Sequence, residues 1–217
     1  MRILEPFLKR PAMFIVFAIA LLFSFFALFA QQTTYTSFGG VFLRPSQIDW
    51  IFLITSPLIL LSFFLYAVGS CGMAALIRAM RSNSAFVLKP SWVVYLFVFE
   101  VIYVLLLLAL YPILSTISPQ FFAMVAFLIG VPFFFLPVSL VFEGNLRWAI
   151  RKSIRAIMLL PIPFVELLVL GVLLLGITEL LSLANLTVGM LFLGMVVIPL
   201  MMSLQSHLYL KLYPIIP

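Results

Sequence analysis

Charged side chains are scarce in this sequence. Asp, Glu, Lys and Arg make up 8% of its 217 residues, and apolar residues make up 66%. Soluble domains carry roughly 25% charged residues, because their surface must face water. The composition therefore excludes an ordinary soluble fold and predicts lipid as the main solvent. The apolar runs are continuous and do not alternate with polar residues as barrel strands do, so we expect an all-α polytopic membrane protein.

Cysteine and histidine are nearly absent. Cys71 and His207 are the single representatives of their types. One cysteine excludes an intramolecular disulfide, and one histidine excludes a multi-histidine metal centre within one chain. A glycine-rich phosphate loop, a nucleophile motif and a metal-binding acid cluster are also lacking. We therefore expect a non-enzymatic protein without a metal or other cofactor.

Long apolar runs predict a six-transmembrane-helix bundle in a single membrane domain, residues 1–217. Each run is close to the roughly 20 residues that cross a bilayer. The first run follows a basic start, but it is longer than a signal-peptide core and no cleavage site follows, so we expect it to be retained. Prolines at 57, 132, 137 and 199 interrupt spans 2, 4 and 6 and predict kinks. The predicted spans are about 12–30, 50–78, 92–114, 120–141, 163–183 and 188–209.

Basic residues are divided unequally between the two sides of this predicted bundle. Eleven fall on one side and only Arg44 on the other. By the positive-inside rule both termini then face the cytoplasm, and the protein lies in the cytoplasmic (inner) membrane. The net charge of +6 sits at helix ends, where it meets anionic lipid headgroups and does not indicate nucleic acid. The eleven residues are Arg2, Lys9, Arg10, Arg78, Arg81, Lys89, Arg147, Arg151, Lys152, Arg155 and Lys211.

The densest basic cluster predicts an amphipathic helix at about 145–157, between spans 4 and 5. Arg147, Arg151 and Arg155 share one stripe, with Lys152 beside it. The other side carries Leu146, Ile150, Ile154 and Ile157. Asn145 is a suitable N-cap. We expect this helix to lie on the cytoplasmic membrane surface. The candidate docking or lipid-headgroup surface consists of Glu143, Arg147, Arg151, Lys152 and Arg155.

Two acidic residues within predicted spans are candidates for an intramembrane polar site. Glu100 lies about eight residues into span 3, and Glu166 lies near the same end of span 5. A carboxylate in a bilayer is costly unless it is paired or protonated. Both residues could therefore serve a proton or cation relay, or bind a cationic group, in one shared cavity. The alternative is a structural role in hydrogen bonds between helices or at the membrane surface.

The segment LPVSLVFEGNLRWAIRKSIRAIMLLP resembles the membrane domain found ahead of some bacterial glycerophosphodiester phosphodiesterases, and in related stand-alone prokaryotic membrane proteins. Glu143, Ala149, Arg151 and Ser153 occupy the places of that pattern. The resemblance implies the six-span layout but no activity, because the phosphodiesterase domain is absent from this sequence. The same segment is also similar to the ATPase-docking helix of ABC-importer permeases. It departs from that pattern by having Ala149 in place of glycine.

These features leave three classes of function open. The first, which the sequence favours, is a subunit or accessory component of a larger membrane complex, with protein partners in the membrane or self-association, because the spans offer many apolar faces. The second is a transporter or permease that uses Glu100 and Glu166. The third, an enzyme acting on lipid, has the least support in the residues.

Overall fold

A computed structural model describes residues 10–37, 57–114, 116 and 118–214. These residues form helices and no strand. A 3₁₀ turn, Val131–Phe133, separates α4 from α5, and a π-helical turn, Leu193–Val197, joins α8 to α9. The helices are α1 (Pro11–Ser37), α2 (Pro57–Arg81), α3 (Pro90–Leu114), α4 (Pro119–Gly130), α5 (Leu136–Glu143), α6 (Leu146–Leu159), α7 (Pro161–Ala184), α8 (Leu186–Phe192) and α9 (Ile198–Leu212).

Several helical stretches are long and apolar enough to cross a membrane, which is consistent with a multi-pass helical membrane protein. They are Ile59–Arg81, Pro90–Tyr111, Met124–Glu143, Pro161–Ala184 and Leu193–Leu212. In α1, the shorter stretch Pro11–Ser24 is also apolar. Three parts of the prediction lie outside the described residues: the beginning of span 2 at 50–56, the loop residue Arg44, and Arg2 with Lys9.

The pairing of α1 with α2 is the most extensive helix contact in the described part of the chain. It depends on glycines in α2, which let the helices approach closely. A Cβ atom placed on Gly69 would lie 2.5 Å from the Leu21 side chain of α1. A Cβ atom placed on Gly72 would overlap the ring of Phe17. Glycine therefore allows the two helices to approach closely.

The fourth span is broken between α4 and α5. Pro137 has no N–H, so the turn before it loses a helical hydrogen bond. A serine from α6 supplies bonds that the broken helix lacks. The Ser153 hydroxyl donates to the Pro132 carbonyl at 2.8 Å and accepts from the Phe135 N–H at 3.2 Å. The break is thus part of the contact with α6.

Helix α6 begins where the sequence predicts. Gly144 adopts a left-handed backbone, with φ of 73°, and ends α5. The Asn145 side chain then accepts a hydrogen bond from the Arg147 N–H at 2.9 Å, which confirms the predicted N-cap. The chain reverses at this point, so α6 returns along α5.

Small residues form the buried face of α6. Ala149, Ser153 and Ala156 are buried, whereas Leu146 and Ile150 from the predicted apolar stripe are only partly buried. The Ser139 hydroxyl of α5 donates to the Ala149 carbonyl at 3.0 Å. Because Ser139 meets residue 149 and the earlier Pro132 meets residue 153, the two helices are antiparallel and closely packed. Leu146, Ile150 and Ile157 pack against the core while staying partly buried, and the small residues hold the fully buried positions.

The last span changes its winding at the π-helical turn. Pro199 follows this turn, and its ring does not fit under the carbonyl four residues earlier in a regular α-helix. Gly194 lies in the turn against the backbone of Leu22 in α1. Beyond the turn, α9 packs against α2 and α5. This arrangement brings Gln205 and Tyr209 next to the broken fourth span.

Candidate functional site

Glu100 borders a cavity of about 270 Å³ between α2, α3, the broken fourth span and α9. Both of its carboxylate oxygens are buried, and neither has a hydrogen-bond partner among the described residues. The side-chain oxygen of Gln205, which lines the same cavity, is buried and lacks a partner as well. Three buried oxygen acceptors therefore belong to two residues of one cavity.

Aromatic side chains form much of the remaining wall. Tyr66, Phe99, Phe133 and Phe134 line the cavity, and no basic side chain is found among its described lining residues. Aromatic faces are electron-rich and attract cations. Oxygen acceptors with aromatic walls favour a guest that carries positive charge and donates hydrogen bonds. Such a guest would offset the cost of the buried carboxylate.

The cavity is positioned by local features of the chain. Leu96 and Glu100 are one helical turn apart on α3 and line the same cavity. The Tyr103 hydroxyl, further along α3, donates to the Ala126 carbonyl of α4 at 3.0 Å and holds these helices together. The break before Pro137 then places Phe133 and Phe134 at the cavity wall.

Glu166 lies elsewhere. It is exposed on α7 and borders an apolar groove of about 590 Å³ with neighbours from the same helix, including Ile162 and Val169. The structure therefore does not bring Glu100 and Glu166 into one cavity. Whether either residue is functional stays a prediction.

Glu143 belongs to a polar cluster where α5, α6 and α9 meet. It is the last residue of α5. Its carboxylate lies 2.7 Å from the Lys152 ammonium and accepts a hydrogen bond from the Tyr209 hydroxyl at 2.9 Å. The Lys152 ammonium also lies over the Tyr213 ring, 4.7 Å from its centroid. Glu143 and Lys152 are thus engaged within the chain.

The other members of the predicted docking surface remain open. Arg147, Arg151 and Arg155 are exposed on α6. The Arg151 guanidinium lies over the ring of Trp148, itself exposed, at 5.4 Å from its centroid. The predicted five-residue surface divides into an exposed arginine stripe and a partly buried ion pair.

Sequence reasoning missed two residues of these sites. Gln205 was visible only as an amide in an apolar span, and Tyr209 as one aromatic residue among many. Their four-residue separation, which places them on one helix face, was the available signal. His207 lies between them, with Nδ1 3.3 Å from an Arg81 guanidinium nitrogen, in a contact between α9 and α2.

No family model, no curated protein and no solved structure matches this chain.

Proposed function

We propose that this protein is a transporter or permease that binds a cationic group at Glu100 inside the membrane. The observation that carries the proposal is the buried Glu100 carboxylate, which has no hydrogen-bond partner among the described residues of its cavity. An ionised carboxylate is costly at this depth, so it holds either a proton or a cation. Binding of a cation would displace the proton, and this exchange couples the two species.

The surrounding groups support the same guest. Gln205 offers a further acceptor, and the aromatic rings of Phe99 and Phe133 provide favourable faces for positive charge. A broken span borders the cavity, as in transporters that bind substrate at interrupted helices. We propose no catalytic role, because the polar groups here accept hydrogen bonds and include no activated nucleophile.

Proton–cation exchange in proteoliposomes tests this proposal. The protein is reconstituted around a pH-sensitive dye, and a gradient of Na⁺, K⁺ or guanidinium is then imposed. We expect one of these cations to change the internal pH, at a rate that Glu100→Gln lowers by about tenfold or more, because the amide holds neither a proton nor a cation by charge. Glu166→Gln, on the exposed face of α7, is the matched control and should retain the exchange. An equal rate in Glu100→Gln would contradict the proposal.

A second candidate function is that of a subunit or accessory component of a larger membrane complex. It is favoured by the exposure of α7, because only 12% of the residues in an apolar 18-residue stretch of this helix are buried. Val165, Val172 and Leu180 are among its exposed apolar residues. Isolation in mild detergent followed by mass spectrometry would test it. Stoichiometric partners would support this function, whereas a protein isolated alone would count against it.

For the topology we propose six spans in the cytoplasmic membrane with both termini in the cytoplasm. Helix α1 would supply the sixth span, because its sequence from Pro11 to Ala30 has the roughly 20 mainly apolar residues that a bilayer requires. The contacts of Arg78, Arg81 and Lys152 at one end of the bundle are consistent with a basic cytoplasmic side. Relationship to the phosphodiesterase-associated membrane domains stays a prediction. Two positions of that pattern, Ala149 and Ser153, pack against α5.

A further inference from the structure

A second polar cavity lies at the basic end of the bundle, apart from Glu100. It has a volume of about 350 Å³ and is formed by the last turns of α2, the segment 84–89 and the first turn of α3. Arg78, Ser84, Lys89 and Trp92 line it, and no residue is shared with the lining of the Glu100 cavity. We call it the Arg78–Lys89 pocket.

Two positively charged side chains of this pocket lie near the ring of Trp92. The guanidinium carbon of Arg78 lies 5.9 Å from the Trp92 ring centroid, and the Lys89 ammonium lies 5.6 Å from it. No carboxylate is found among the described lining residues of this pocket. Arg78 also lines a neighbouring cavity with Glu143, whose carboxylate is paired with Lys152 at 2.7 Å. Arg78 is half-buried and Lys89 is exposed, and an anion in the pocket would be attracted by both positive charges.

The pocket is held in shape before any ligand arrives. Asn83 has a left-handed backbone, with φ of 47°, and the Ser84 N–H bonds to the Ala79 carbonyl at 2.9 Å, as in a Schellman helix end. Phe86 then contacts Phe17 of α1, with ring centroids 5.7 Å apart, and fixes the segment against the bundle. The cations are therefore carried on anchored backbone.

Hydrogen-bond donors accompany the charges. The Arg78 guanidinium donates to the Val141 carbonyl and has further N–H groups on its planar fork. Ser84 is exposed at the rim, where its hydroxyl lies 2.6 Å from the Ser82 hydroxyl. Arginine, lysine and hydroxyl donors without a carboxylate are the groups that bind phosphate oxygens.

We propose that the Arg78–Lys89 pocket binds a phosphate group, supplied by the headgroup of an anionic phospholipid. The apolar rim selects this source, because Val87 is 55% exposed beside the two cations. A free phosphate would need only the charges, whereas a phospholipid also covers apolar surface next to them. The pocket thus provides a lipid site distinct from the arginine stripe of α6.

Native mass spectrometry of the delipidated full chain in detergent tests this site, with phosphatidylglycerol as the probe. Phosphatidylcholine controls for lipid binding without net charge. We expect phosphatidylglycerol to bind more tightly, and Lys89→Gln to weaken it about tenfold through loss of one charged donor. Lys211→Gln is the matched control, because it removes the same charge from an exposed position outside the pocket. Equal weakening by both variants, or by neither, would overturn the site.

Two further arms complete the test. Inorganic phosphate added at millimolar concentration should not displace the lipid; if it does, and binds alone with the same dependence on Lys89, the source is free phosphate and the lipid assignment is wrong. If Lys89→Gln lowers the melting temperature, Ser84→Glu serves as the second test variant. It places a carboxylate at the exposed rim, which should repel the lipid phosphate and abolish binding. Retained binding in Ser84→Glu would contradict the proposal.

Discussion

The hydroxyl of Tyr209 donates a hydrogen bond to the carboxylate of Glu143 at 2.9 Å, across 66 positions of sequence. This bond joins the end of α9 to the end of α5. Lys152 of α6 approaches the same carboxylate oxygen. One carboxylate therefore connects three helices, while the Tyr209 side chain that reaches it is fully buried.

Tyr209→Phe should destabilise the protein because it removes this bond and leaves a partly buried carboxylate with one partner fewer. We expect a loss of about 1.5–3 kcal/mol in the free energy of unfolding, the range for a hydrogen bond to a charged group. Titration with sodium dodecyl sulfate in mixed micelles measures it. Tyr213→Phe is the control, since the buried Tyr213 hydroxyl has no partner to lose among the described residues. Equal stability of the two variants would argue against the bond.

Ser153→Ala should loosen the broken fourth span. The substitution leaves the Pro132 carbonyl and the Phe135 N–H without their serine partner. With each orphaned buried group costing about 1–3 kcal/mol, we expect at least about 2 kcal/mol of destabilisation. The same unfolding titration reports it. Ser62→Ala provides the comparison, because the Ser62 hydroxyl is buried but has no partner within the described part of the chain; a similar cost at both serines would refute the role of Ser153.

The sequence does not distinguish Ser153, which has hydrogen-bond partners on the fourth span, from Ser62, which has none in the described part of the chain. The apolar runs, the proline breaks and the Asn145 cap could be predicted because they depend on periodicity and on local backbone chemistry. The two hydrogen bonds of Ser153 to the break could not, since they depend on how α6 returns along α5. Hydrophobic periodicity predicted an apolar side of α6 that contains its isoleucines. The fully buried residues of this helix are instead small ones, Ala149 and Ser153 among them.

Gly72→Ala should separate α1 from α2. The added methyl group would overlap the ring of Phe17, and a helix pair held by close packing cannot absorb it without moving. We expect a loss of about 1–3 kcal/mol in stability, as for overpacked cores. Gly176→Ala should be neutral or slightly stabilising, because its added methyl group would meet no described neighbour within 4 Å and alanine favours helix. Thermal unfolding in detergent compares the two variants, and equal melting temperatures would contradict the close approach at Gly72.

Labelling of introduced cysteines should determine the topology. In a Cys71→Ala background, Thr116→Cys reports the turn between α3 and α4, and Ser84→Cys reports the segment after α2; both residues are exposed. We expect a membrane-impermeant maleimide to label Thr116→Cys on intact cells and Ser84→Cys only after lysis, because basic segments stay inside. The reverse pattern would invert the proposed orientation.

Glu100 could be predicted as a candidate from the sequence, but the rest of its cavity could not. An acid in a span is a recognisable signal, so the sequence identified Glu100. It could not distinguish Glu100 from Glu166, because both are single acids at the same end of apolar runs. Packing separates them: Glu100 shares a cavity with Gln205, and Glu166 borders a groove lined by its own helix.

The π-helical turn at Leu193–Val197 has a consequence for Gln205 and Tyr209 together. Such a turn accommodates one more residue than an α-helical turn, and each residue of an α-helix rotates the following side chains by about 100°. A one-residue deletion there would turn both side chains away from their present neighbours. The rotation of α9 about its own axis therefore sets two contacts together: Gln205 in the Glu100 cavity and Tyr209 on the Glu143 carboxylate. The extra residue of the π-helical turn keeps both side chains in these positions.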